Sequence, residues 1–190
     1  MLVYFVRHGQ TENNSNGLYT GQMDVHLSSV GFEQARALRE KFSDKKIDKV
    51  FSSDLIRAVE TAQTVFPEAD IERDSRLREI SVGKLSGMKS KEFRQNNPDM
   101  VKYLDERDYT PFDGENDSHV LARLSDFIRE LSAEKYEAVA ICCHGGVLHT
   151  SLEYALGVSF SAWRTHRPNC AAVVYELSKD GTMKLVAWNI

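Results

Sequence analysis

The chain has 190 residues, 42% of them hydrophobic and 27% charged, with a formal net charge of −4. That length suits one domain with a full core rather than two, and the excess of carboxylates excludes a partner held by phosphate-backbone attraction, so no nucleic acid is expected. No apolar run approaches the ~20 residues of a membrane span, so no membrane partner is expected either.

Met1 leads directly into apolar sequence without a basic n-region, so no signal peptide is expected. The three cysteines, Cys142, Cys143 and Cys170, form an odd set with two adjacent. That is a poor disulfide framework and fits a reducing cytoplasm.

In chain order, Val3 to Val6 have the β-branched and aromatic character of a buried strand. Arg7-His8-Gly9 stands where that strand ends, and a polar loop from Glu12 to Ser28 follows. A helix is predicted from about Ser29 to Ser43, where Phe32, Ala35, Leu38 and Phe42 recur at helical spacing. Lys49 to Ser53 reads as a second strand and Asp54 to Phe66 as a second helix. Ile71 lies in a short third strand after the Pro67-Glu68 turn. Gly83 to Gly114 mixes aromatics with both charge signs and reads as one or two helices laid over a site. Leu121 to Leu131 is an amphipathic helix, Ala138 to Cys143 a wholly apolar strand and Gly145 to Leu156 a helix. Cys170 to Leu177 and Met183 to Trp188 close the sheet. This alternation predicts an α/β three-layer sandwich: a mostly parallel central sheet, helices on both faces and a small helical cap. With no internal repeat or linker, residues 1–190 are expected to form a single domain, with a cap-like insertion over about 84–116.

The candidate chemistry lies at the strand exits, where open α/β sheets bind ligands. The first strand delivers Arg7 and His8, and the second delivers Ser52-Ser53-Asp54 and then Arg57. Leu77-Arg78-Glu79 supplies a carboxylate, and the apolar strand delivers His144-Gly145-Gly146. If those strands are parallel neighbours, two imidazoles, two guanidiniums and a carboxylate converge. That set suits a phosphoryl group: arginines bind its oxygens bidentately, and a helix opening after Gly145 favours an anion. One imidazole is then the nucleophile and a nearby acid the proton donor.

Arg7-His8-Gly9-Gln10-Thr11 with Asn14 resembles the opening signature of the histidine phosphatase superfamily, the phosphoglycerate-mutase-like proteins. The resemblance runs on through Tyr19-Thr20-Gly21, Ser52-Ser53-Asp54-Leu55-Ile56-Arg57-Ala58, Leu77-Arg78-Glu79 and His144-Gly145-Gly146. It implies that His8 is the nucleophile that becomes phosphohistidine. Arg7, Arg57 and His144 are implied to hold the phosphoryl oxygens, with no metal and no cofactor. Glu79 is implied to be the general acid and then the base, and Asn14, Thr20, Gly21 and Gly145 to complete the phosphate pocket.

Other chemistries fit poorly. None of the cysteines has the arginine six positions later that cysteine-dependent phosphatases need: His149, Leu148 and Glu176 stand there instead. No G-x-x-x-x-G-K-[ST] loop exists, and Gly83-Lys84-Leu85-Ser86-Gly87 has its serine one place late for a hydrolase elbow. Cys142 and Cys143 are expected to fill core. His26, His119, His149 and His166 have no motif partner, and Glu115 and His119 are marginal candidates beside the cap.

The substrate expected is a small-molecule phosphate ester, such as a sugar phosphate or α-ribazole phosphate. The alternatives are a phosphoglycerate mutase and a catalytically silent binding module. Charge in Met88 to Asp113 is nearly balanced, a poor lure for a bisphosphorylated metabolite. Its Met88, Phe93, Met100, Tyr103, Leu104, Tyr109 and Phe112 form either an apolar substrate wall or, the preferred reading, the core of the cap. A monomer or a homodimer is expected.

Overall fold

A computed structural model describes residues 1–158 and 168–189. Six strands form one sheet: β1 (Leu2–Arg7), β2 (Lys49–Ser52), β3 (Ile71–Arg73), β4 (Ala138–Cys143), β5 (Ala172–Leu177) and β6 (Met183–Trp188), in the order β3-β2-β4-β1-β5-β6. β1 pairs in parallel with β4, β4 with β2, and β2 with β3, whereas β5 and β6 join antiparallel. The carboxyl ends of β1, β4 and β2 therefore lie side by side. That adjacency is what the convergence of Arg7, His8, Ser53 and His144 requires.

Alternation along the strands divides the core in two. Val3 and Phe5 of β1 and Val139, Ile141 and Cys143 of β4 face one layer, while Tyr4, Val6, Ala140 and Cys142 face the other. The first layer is closed by α6 (Asp117–Ser132) and α7 (Gly145–Leu156), through Val120, Leu124, Phe127, Val147, Leu148 and Leu152. The second is closed by α2 (Ser29–Phe42) and α3 (Ile56–Val65), through Ala35, Leu38, Phe42, Ala62 and Val65. The three-layer α/β sandwich is as predicted. Each fully buried aliphatic or aromatic side chain contributes about 1.5–3 kcal/mol, so strands buried on both faces hold the site's foundations rigidly.

Several boundaries shift, for local reasons. Inside the predicted polar loop, Glu12–Ser15 forms a single helical turn, α1, because Thr11 and Asn14 cap each other reciprocally. α3 starts at Ile56 rather than Asp54, since Asp54 is held by Arg78 at 2.6 and 2.7 Å. α6 starts at Asp117, four residues before Leu121, because Asn116 caps it together with His119. β5 begins at Ala172 because Cys170 has a left-handed φ of 56°.

The cap is built of two short helices, α4 (Ser90–Asn96) and α5 (Val101–Asp105), with 3-10 turns around them. Leu104, Tyr109 and Phe112 are buried in the first core layer, and Phe93, Met100 and Tyr103 pack against it, whereas Met88 is exposed. The apolar residues of this segment are thus chiefly cap core.

Candidate active site

His8 leaves β1 at its carboxyl end and is buried, with its backbone N–H donating to Cys143 O across the parallel pair at 2.9 Å. Its Nδ1 lies 2.7 Å from Gly9 O. A carbonyl only accepts, so Nδ1 carries the proton and Nε2 carries the lone pair. Arg57 Nε donates to that Nε2 over a long 3.3 Å, consistent with an acceptor there. Burial first, then the charges of Arg57 and Arg7, hold the imidazole well below its ordinary pKa of 6.5. The ring is therefore neutral at physiological pH, with the Nε2 lone pair at the cavity wall beside Arg57.

Two guanidiniums flank it. Arg57, 1% exposed on the first turn of α3, donates through Nη1 to Met23 O at 2.7 Å and through Nη2 to Gly21 O at 2.8 Å. Burial lowers its pKa to about 10, which leaves it charged at neutral pH. Arg7 is lowered mainly by burial, with the nearby Glu79 charge opposing that shift. Both line a cavity of about 370 Å³ together with His8, Asn14, Thr20, Gly21, Glu79, Gly145 and Gly146. Gly21 is needed twice over: its φ is 49°, and a β-carbon would lie 2.7 Å from Val82 Cγ2. Asn14 Oδ1 accepts from the Thr11 N–H at 3.1 Å and from Asn169 Nδ2 at 3.4 Å. That orientation turns the Asn14 amide nitrogen, a donor, toward the cavity.

His144, at the end of β4, lies tilted beside His8 with ring centroids 5.2 Å apart. It is wholly buried and sits behind the residues that line the cavity. Its Nε2 lies 2.8 Å from Ser53 Oγ, and its Nδ1 has no hydrogen-bond partner among the described residues. Ser53 orients the second imidazole, and its Oγ also accepts the Leu55 N–H at 3.3 Å, just before α3. Burial, then the Arg57 and His8 charges, keep His144 well below its ordinary pKa as well.

Glu79 crosses the cavity to the start of α7. Gly146 N–H donates to Glu79 Oε2 at 3.1 Å and Ile80 N–H to Oε1 at 2.9 Å. The carboxyl group is thus seated at the N-terminus of α7 by two backbone N–H donors. Gly146 has no β-carbon because one would overlap Glu79 Oε1 and lie 2.9 Å from Arg107 Nη2. The structure thus gathers all nine sequence-predicted site residues around one cavity, with His144 set behind its wall.

Sequence reasoning missed several neighbours. Gln22 holds Glu79 O at 3.0 Å, and Asn169 Nδ2 holds His8 O at 3.0 Å. Leu18, Ile80, Val82 and Arg107 were not singled out either; with Tyr19 of the motif and with Leu104 and Tyr109, both named as candidate substrate wall, they complete the cavity lining. Leu104 and Tyr109 therefore both fill the cap core and face the cavity. Gln22 directly follows the Thr20-Gly21 pair, a signal that was available; nothing local marks Asn169 or Arg107.

The leftover residues have structural posts. Glu60 holds His26 at 2.6 Å, His119 caps α6, and His149 is buried on α7 near Glu153. His166 lies outside the described residues. Cys142 and Cys143 are buried core thiols, raised in pKa by burial.

A family model of the histidine phosphatase superfamily (branch 1) matches residues 3–190. A protein of Hydrogenobacter thermophilus named "Putative phosphoserine phosphatase 2" is 30% identical over 184 residues, covering 94% of this chain and 90% of its own. A "Glucosyl-3-phosphoglycerate phosphatase" of Mycolicibacterium vanbaalenii is 30% identical over 169 residues, covering 83% and 75%. Among solved structures, mycobacterial glucosyl-3-phosphoglycerate phosphatase complexed with VO3 superposes with a TM-score of 0.89 at 26% identity, covering 99% of this chain and 98% of that one. The chain belongs to the histidine phosphatase superfamily, branch 1, and its enzyme activity is that of a phosphatase.

Proposed function

We propose that the protein is a metal-independent phosphomonoesterase acting on small phosphate esters through a phosphohistidine on His8. The observation that carries this reading is the His8 tautomer: Nδ1–H committed to Gly9 O, and a neutral Nε2 between Arg7 and Arg57.

In the first step Nε2 attacks phosphorus, the ester P–O bond breaks, and Glu79 passes its proton to the departing alcohol oxygen. In the second, Glu79 takes a proton from water, the water oxygen attacks phosphorus, and the P–N bond breaks to give inorganic phosphate and free His8. Charge on the equatorial oxygens is met by Arg7, Arg57 and the Asn14 amide, with the His144 imidazole packed beside His8 behind them. The guanidiniums supply the positive charge that other phosphatases draw from metal ions.

The cavity's size is that of a small-molecule site, and its outer wall offers apolar and aromatic surface to an organic leaving group. Sugar phosphates, α-ribazole phosphate, phosphoserine and phosphorylated glycerates form the candidate set, the last two suggested by the relatives' names. We favour a cytoplasmic setting, which the three free, buried thiols support.

The test is a metabolite-phosphate panel run with and without a chelator. Turnover equal in both arms, together with an acid-labile phosphoryl label on His8, supports the proposal. Turnover abolished by the chelator, or an acid-stable label, refutes it. Faster interconversion of 2- and 3-phosphoglycerate than phosphate release would make the chain a mutase.

A further inference from the structure

Behind Glu79, and outside the cavity, Glu115 organises a compact polar cluster. Its backbone N–H donates to Ser81 O, and its Oε2 accepts the Ser81 N–H, both at 2.8 Å, so one residue brackets another. Gln22 Nε2 donates to Glu79 O at 3.0 Å and to Glu115 Oε2 at 3.4 Å. Arg123 Nη2 donates to Glu79 O at 3.2 Å and to Glu115 Oε2 at 3.3 Å, while its Nε reaches Glu115 Oε1 at 3.2 Å. The Glu79 carbonyl therefore has two side-chain donors from distant elements, and both are held in place by one carboxylate. Gly114, just before it, permits the approach, because a β-carbon there would overlap Ser81 O.

We propose that Glu115 is a positioning residue for Glu79: through Gln22 and Arg123 it fixes the Glu79 peptide, and so aims the carboxylate that gives and takes the proton. This assignment rests on the acid–base role given to Glu79 above. Glu115 touches neither the cavity nor the reacting atoms. A rotated Glu79 peptide would swing the carboxylate off the Gly146 N–H without disturbing Arg7, His8 or Arg57. The loss therefore falls on proton transfer and spares the anion clamp. Glutamine at position 115 keeps the volume but turns an amide NH2 or a neutral oxygen toward Arg123, weakening the charge-assisted pair.

The experiment compares kcat/KM for an alkyl phosphate, whose leaving oxygen needs a proton, with that for p-nitrophenyl phosphate, whose leaving group departs as a stable phenolate. General acid catalysis is worth about 10²–10⁴-fold, and misaiming the acid should forfeit roughly tenfold of it. Glu115→Gln is expected to lower the alkyl rate about tenfold and the p-nitrophenyl rate less than twofold, and to add nothing in a Glu79→Gln background. Gln22→Ala, which removes one of the two donors, should shift the same ratio in the same direction and decides the matter if the first variant does not fold. Equal losses on both esters, or an undiminished effect of Glu115→Gln in the Glu79→Gln background, overturn the assignment. A wild-type rate ratio unchanged by Glu79→Gln overturns the acid–base reading itself, and the assignment with it.

Discussion

Gly146→Ala is the most incisive perturbation of the site, because it adds one carbon where the acid rests. That carbon overlaps Glu79 Oε1 and comes within 2.9 Å of Arg107 Nη2. The carboxylate must retreat and give up the Gly146 N–H, now at 3.1 Å. A lost hydrogen bond to a charged group costs roughly 1.5–3 kcal/mol, partly offset by about 1 kcal/mol from alanine's better helix propensity. The net loss of about 0.5–2 kcal/mol leaves a domain of ordinary stability folded. Catalysis suffers more: displacing the general acid raises the barrier by about 3–5 kcal/mol, or roughly 10²–10⁴-fold in kcat/KM for an alkyl ester. The assay is phosphate release from an alkyl phosphate, alongside thermal unfolding and inorganic phosphate binding. Phosphate affinity should change little, since the atoms nearest the new carbon belong to Glu79 and Arg107 and not to Arg7 or Arg57. Gly145→Ala makes the contrast: its β-carbon meets Arg7 Nε at 3.3 Å rather than Glu79, so any loss there should fall on phosphate binding. A folded Gly146→Ala enzyme with wild-type turnover would refute the seat assigned to Glu79.

Further outcomes are expected at the other positions. His8→Ala should abolish turnover and labelling while the fold, read by circular dichroism, persists; an active folded variant removes His8 as nucleophile. Arg57→Lys keeps the charge but cannot span Gly21 O, Met23 O and His8 together, so kcat/KM should fall roughly 100-fold with a loss of about 2 kcal/mol from buried bonds; near-normal activity would mean that charge alone suffices. His8 and His144 have folded pKa values well below 6.5, so below that pH the unfolded chain binds protons that the folded chain refuses. Their stabilisation is complete above about pH 6.5 and declines as pH falls through the unfolded value. Unfolding midpoints at pH 7.5 and pH 5 should therefore differ less in a His8→Asn/His144→Asn variant than in wild type, and equal differences would contradict the sign.

The layer architecture was readable because strand and helix periods are local properties. The run from Val3 to Val6 and the run from Ala138 to Cys143 are buried on both faces, as uninterrupted apolar strands must be. The cap was harder to read. Its short helices lack a sustained period, and whether Leu104 or Tyr109 touches substrate space depends on where the chain folds back. α1 and the early start of α6 rest on the Thr11–Asn14 and Asn116–His119 capping pairs, which a search for apolar spacing passes over.

The sequence by itself determined which residues stand at the strand ends: Arg7 and His8 after β1, Ser53 after β2, and His144 after β4. It also carried the motif order that marks the superfamily. Only the tertiary structure decided how those groups are armed. The His8 proton is placed by the local Gly9 carbonyl, but His144 is oriented by Ser53, 91 residues away, and Glu79 is seated on Gly146, 67 residues away. Glu115, marginal in the sequence, became the anchor of the Glu79 peptide through partners 34 and 93 residues distant. Local sequence sets backbone preference and burial. Hydrogen-bond direction between side chains is set by which strand ends lie side by side, and that is decided when the sheet closes.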